Sequence, residues 1–397
     1  MLSEKSKKSL LTLLGAAHSL NHSLFLIAPP LLLTIMVDLG TSKFLLGVAG
    51  TLSSLIYGVG SLVGGPLSDR VGEIKVITLC MALSGAFTFT ILLAQEIVVY
   101  SLGLFLIAAW ASLYHPTANS LISKVFPRGM AEAMGLHGVG GTLGVMLTPV
   151  VAVFLGKTFG WRFSFLFFGV LCIVFAVLLT KYSFKTVQTV SEGKIWDVFR
   201  FPGLWKIFLF NSVIGLYMKG VEYFFPTYLV LKPFQGFDIN YAKMLAAMAW
   251  TLVLAAGVVG QWLGGKTADY FGSKKVLIVT SVGVLLSLVF LQFTPVPVVG
   301  IMAFIYLYGI GFYGHQPALN SLAGLKIPND KKGMIYGVLF FTSFGLGSLS
   351  QSIVGFCADT FGIETSFYPL TAFSVAALLL SFLLPDWREP STKENPP

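Results

Sequence analysis

Residues 64–76 read GGPLSDRVGEIKV, and residues 264–276 read GGKTADYFGSKKV. The two stretches share a glycine pair, an aspartate and a turn glycine at an offset near 200. Two further pairs keep the same order. HPTANS at 115–120 answers HQPALNS at 315–321, and KTFGWRFSF at 157–165 answers DTFGIETSF at 359–367. Three anchors in one order predict an internal duplication. The longest charged segment between the copies is 182–203. It divides the chain into a first half at 1–181, a linker, and a second half at 204–397.

Composition fixes the solvent around these halves. Charged residues form 11% of the 397, against about 25% in an ordinary soluble domain. The apolar set reaches 55%, with 35 phenylalanines. So few charges cannot cover a protein surface in water, and the chain reads as an all-α protein embedded in lipid. Apolar runs long enough to span fall at 10–36, 44–67, 75–95, 99–122, 133–156 and 163–181 in the first half. The second half offers 204–231, 241–264, 275–293, 297–323, 334–358 and 366–385. Twelve spans, six per half, are expected. The first run is too long for a cleaved signal and reads as a span.

Twenty of the 26 Lys and Arg residues fall in loops on the N-terminal side, five on the other, and Lys219 lies inside a span. That bias predicts both termini in the cytoplasm of a cell with an inner membrane. It also accounts for the net charge of +9 without nucleic acid, since no basic patch forms. Cys80, Cys172 and Cys357 are far apart inside apolar runs, which suits neither a disulfide framework nor a zinc cluster.

The loop from Gly65 through Asp69, Arg70 and Gly72 to Lys75 resembles the G-x-x-x-D-R-x-G-R-K signature of the major facilitator superfamily, and Asp269 and Gly272 carry its echo. Glu73 stands where that family usually has a basic residue. The resemblance implies two pseudo-symmetric six-helix halves, alternating access and a gating role for this loop. Within the family the chain is most similar to the fosmidomycin-resistance-like branch. The residues that carry this are His18-Ser-Leu-Asn21, Tyr114-His115-Pro116 and Gly140-Gly141-Thr-Leu-Gly144. The branch often has Asp at the position of His22, and its exporters tend to carry Gly-Pro where Thr148-Pro149 stands.

An ionisable group in mid-membrane is expensive, about 2.5–3.5 kcal/mol on insertion scales, so it marks a water-filled path or a partner. All five histidines lie inside spans: His18, His22, His115, His137 and His315. Lys219 and Glu222 lie near the middle of the seventh. The family resemblance implies a cavity lined by spans one, four, seven and ten, where most of these residues fall. The expected cavity residues are His18, Asn21 and His22 on one helical face; His115 and Asn119; Lys219, Glu222 and Tyr223; and His315, Gln316 and Asn320. Glu222, His22 and His115 are the candidates for proton coupling. His137, one turn inside its span, reads as structural, and the glycine-rich stretches read as helix-packing surfaces.

These residues predict a secondary transporter, a monomer that carries a small, anionic organic solute with protons. Lys219 is the reason for the anion, since it is the one non-histidine cation inside a span. No nucleotide-binding loop is present, and no catalytic group, cofactor or metal is expected. Three alternatives stay open: a proton-antiport drug exporter, a transition-metal carrier using His18, His22 and His115, and a membrane-embedded enzyme with His115 as base. The lack of a clustered Asp or Cys argues against the metal, and the copy at His315 argues against the enzyme.

Overall fold

A computed structural model describes residues 4–125, 130–182, 200–324 and 332–387. Every regular element among them is helical. Among the described residues, ten helical segments are long and apolar enough to cross a bilayer. They are spans one to six at Ser6–Asp38, Lys43–Gly64, Glu73–Leu92, Ile97–Asn119, Leu136–Phe159 and Trp161–Leu179. Spans eight to eleven follow at Ile239–Ala268, Ser273–Phe293, Pro297–Ala323 and Ile335–Thr360. The other two expected windows hold Leu204–Leu231, a 28-residue helix with Lys219 and Glu222 in its middle (span seven), and the 16-residue Tyr368–Leu383 (span twelve). The fold is the twelve-helix, two-half architecture expected from the repeat. Residues 183–199 of the expected linker lie outside the described residues.

The repeat anchors have a physical cause. Gly72 and Gly272, at φ 97° and 86°, each close one helix and open the next. Gly160 and Gly362 take φ 93° and 88° at the other matched pair. An L side chain is strained at these angles, so glycine permits the one-residue turns at Gly72, Gly160 and Gly272 and the bend at Gly362 in the longer connection from Thr360 to Tyr368. Glycine also lets neighbours close. A Cβ on Gly64 would meet the Pro116 ring, and one on Gly264 would meet the Gly314 backbone, so spans two and eight touch spans four and ten alike.

Several spans break. Span one stops at Leu26 and resumes at Ala28 before Pro29 and Pro30, whose missing N–H groups interrupt the ladder. Span five breaks between Val145 and Thr148, before Pro149. Span four breaks between Ala111 and Tyr114. Span eleven breaks without proline: Phe341–Gly345 form a π turn, followed by a 3-10 turn at Leu346–Ser348. Such wide turns gather at functional sites.

The halves meet at the end of the bundle remote from the N-terminus. Lys43 Nζ lies 2.9 Å from Asp359 Oδ1, and the Phe44 amide donates to Asp359 Oδ2 at 2.7 Å. Deeper in, Thr51 Oγ1 donates to the Ser348 carbonyl at 2.8 Å and Tyr223 Oη to that of Leu46 at 3.0 Å. Between spans five and eight, Thr251 donates to the Met146 carbonyl at 2.7 Å.

Candidate functional site

Two groups of polar side chains face each other across the interface. In the first half, His18 and His22 are four residues apart on span one, and the break in span four presents His115 toward them. His22 Nε2 and His115 Nε2 are 3.1 Å apart. The His18 ring lies 4.7 Å from His22 and 4.9 Å from His115, centroid to centroid. His137 stacks on His18 at 4.4 Å, its carbonyl is 3.1 Å from His18 Nδ1, and its own Nε2 is 2.9 Å from Tyr114 Oη. Tyr114 also donates to the Leu14 carbonyl. Spans one and five come this close because Gly141 and Gly144 lack side chains: a Cβ there would strike His18 and Ser19. One ring nitrogen from each of His18, His22 and His115 lies within 4.8 Å of the others, close enough for a shared metal ion.

In the second half, Lys219 Nζ is 2.6 Å from Glu222 Oε2 and 4.3 Å from the centre of the Phe344 ring. Lys219 is 3% exposed and sits roughly 20 Å of helix from each end of span seven. It cannot snorkel to water, so the carboxylate and ring are its solvation. A cavity bordered by spans one, two, four, seven and eleven is lined by Lys219, Glu222, Tyr223, Gln351, Ser53 and Ser54, among others. The Gln351 amide oxygen is buried there without a protein partner.

The two groups are joined by aromatic rings. His115 stacks on Phe340 at 4.9 Å, and Phe340 lies 6.0 Å from Phe344. Phe344 is also 5.3 Å from Tyr57.

Other expected residues lie elsewhere. Asn21 is fully buried against spans two and four rather than beside the histidines. Its amide donates to the Ala111 carbonyl at 2.9 Å and its oxygen accepts from Tyr57 Oη at 3.0 Å. His315 is buried and turns back to the Phe312 carbonyl of its own helix. Gln316 accepts from Gln261 at 3.3 Å, and Gln261 accepts from Thr142 at 3.4 Å, a polar line from span ten to span five. Asn119 is half-buried one turn beyond His115, whereas Asn320 is exposed and its carbonyl accepts from Tyr336 Oη at 3.2 Å. In the gating loop Gly65 ends in the helix before the Gly72 turn, and the side chains of Asp69, Arg70 and Asp269 lie outside the described ones.

Sequence reasoning missed Phe340, Phe344 and Gln351. Gln351 is an amide inside an apolar helix, but unlike Asn21, Asn119, Gln316 and Asn320 it has no histidine close by in the sequence to mark it. The π turn that aims Phe344 had no proline to announce it.

The family model described as Major Facilitator Superfamily matches residues 11–352. Among curated proteins, the hexuronate transporter of Bacillus subtilis (strain 168) is 23% identical, covering 97% of this chain and 96% of its own. The fosmidomycin resistance protein of Escherichia coli (strain K12) is 25% identical over 79% of this chain and 76% of its own. Among solved structures, a bacterial homologue of the human lysosomal transporter Spinster, inward-facing and unoccupied, superposes with a TM-score of 0.77. It is 17% identical and covers 96% of this chain and 97% of that one, a likeness of fold.

Proposed function

Because the chain belongs to the major facilitator superfamily and is a multi-pass transporter of small organic solutes, we propose that its solute is an organic anion bound with a proton. The observation that carries this reading is the Lys219–Glu222 pair at 2.6 Å in the wall of a cavity between the halves. While Glu222 is ionised it neutralises Lys219. Protonation of Glu222 releases the ammonium, which then receives a carboxylate or phosphonate. Proton and anion therefore favour each other's binding, the linkage of a symporter.

Three features support this assignment. Lys219 has no route to either interface, so its charge must be met inside. The unpartnered Gln351 oxygen and the Ser53 and Ser54 hydroxyls suit the hydroxyl groups of a polar acid. The hexuronate relative is named for a carboxylated sugar. The loop with Asp69 is the proposed gate, in a cell-membrane monomer with both termini cytoplasmic.

Binding affinity against pH tests the reading, with glucuronate as first probe and wild type beside Lys219→Ala. Wild type should bind more tightly as pH falls from 7.5 towards 6, and Lys219→Ala should lose at least about tenfold, the worth of one buried charge-assisted contact. Equal affinities in the two proteins, or a preference for cationic drugs that survives the substitution, would overturn the anion and favour a drug exporter.

A further inference from the structure

We propose that His18, His22 and His115 form a binding site for one divalent transition-metal ion of the imidazole-preferring class, such as zinc. The three donors come from two helices, and their ring nitrogens already lie within 4.8 Å of one another. His22 Nε2 and His115 Nε2 are 3.1 Å apart. Two nitrogens on a tetrahedral zinc, with bonds near 2.05 Å, stand about 3.3 Å apart, so this pair needs almost no movement. The ring planes are fanned rather than parallel: His115 meets His18 at 88° and His22 at 59°. Ligands converging on one ion can take such angles, while His137 lies flat against His18 at 12°.

The surroundings orient the donors. His18 Nδ1 donates to the His137 carbonyl, which leaves the lone pair of that ring on Nε2. A backbone carbonyl behind a ligating histidine is the usual device for fixing its tautomer. His137 is the positioning residue, since its carbonyl fixes His18 while the nitrogens that converge are those of His18, His22 and His115. Phe340 stacks on the His115 ring at 4.9 Å. Lys219 in the facing group is paired with Glu222, so that group adds no net charge against a dication. The absence of Asp or Cys, which speaks against a metal in the sequence, loses its force once three imidazoles converge. Three histidines are a complete protein ligand set, with one position left for water.

The competing account is a metal-free contact in which His22 and His115 share one proton. Elemental analysis separates the two on the full-length chain, free of affinity tag, stripped with EDTA, loaded with Zn²⁺ and desalted. The site predicts one retained zinc per chain, and Co²⁺ in its place should give the intense visible bands of a tetrahedral ion. His115→Gln and His18→Gln, on different helices, should each weaken Zn²⁺ binding at least about tenfold. Either variant suffices if the other fails to fold. A wild-type chain that retains no zinc and gives no cobalt bands overturns the site, as does retention unchanged in a folded variant.

Discussion

The two halves repeat one backbone and use it differently. The first half gathers imidazoles: His18, His22 and His115 converge, with His137 stacked behind them. The second half presents an ion pair, Lys219 with Glu222, and its histidine stands apart. The contrast is sharpest at HPTANS and HQPALNS. When Pro116 is matched with Pro317, Asn119 matches Asn320, His115 matches Gln316, and Tyr114 matches His315. Tyr114 and His315 are both buried and both bond a backbone carbonyl, of Leu14 and Phe312 respectively. The duplication therefore preserved the turn glycines and the close helix contacts, and left each half to choose its own polar groups.

The largest test of this division is Glu222→Gln. A neutral amide cannot cycle a proton, so accumulation driven by a pH gradient should fall to background in proteoliposomes while solute exchange persists. Undiminished accumulation would move coupling to the histidines and erase the division of labour. Next is the pair His115→Gln and His315→Gln, assayed side by side for transport. His115 sits at the interface between the groups, and its loss should cost about tenfold, or 1.4 kcal/mol. His315 bonds its own helix, and its loss should cost less than about twofold. Equal losses would restore the symmetric reading in which both line the cavity.

The smallest effect belongs to the contact that holds the halves together. Lys43 and Asp359 have side chains 20% and 25% exposed, so their pair is worth about 0.2–1 kcal/mol. Lys43→Ala should raise the population opened at that end by no more than about fivefold, read by labelling of a cysteine placed behind the contact. Asp359→Ala should do more, because the Phe44 amide loses its acceptor as well. If both leave labelling unchanged, the pair is no latch.

The amino-acid sequence shows depth well and rotation poorly. Hydropathy locates the spans, and the cost of burying charge picks out Lys219, Glu222 and the histidines wherever they fall. Facing is harder. At 100° per residue, His22 lies about 40° from His18 while Asn21 lies about 60° to the other side. That rotation is enough to put Asn21 among Ala111 and Tyr57 instead of in the cluster. His315 went astray for a related reason: the extra residue between it and its proline turns it by one position. His137 read as a packing group because depth alone was visible, and its place behind His18 depends on glycines in span five.

The π turn at Phe341–Gly345 has a consequence in the register of span eleven. A π turn is an α-helix holding one surplus residue, and each residue in a helix amounts to about 100° of azimuth. Everything after it, including Gln351 in the cavity and Asp359 against Lys43, keeps its compass bearing because the wide turn absorbs that surplus. Wound as a plain α-helix of the same residues, span eleven would keep its composition and its hydropathy. It would point its amide and its carboxylate about a quarter-turn away from the partners they now meet.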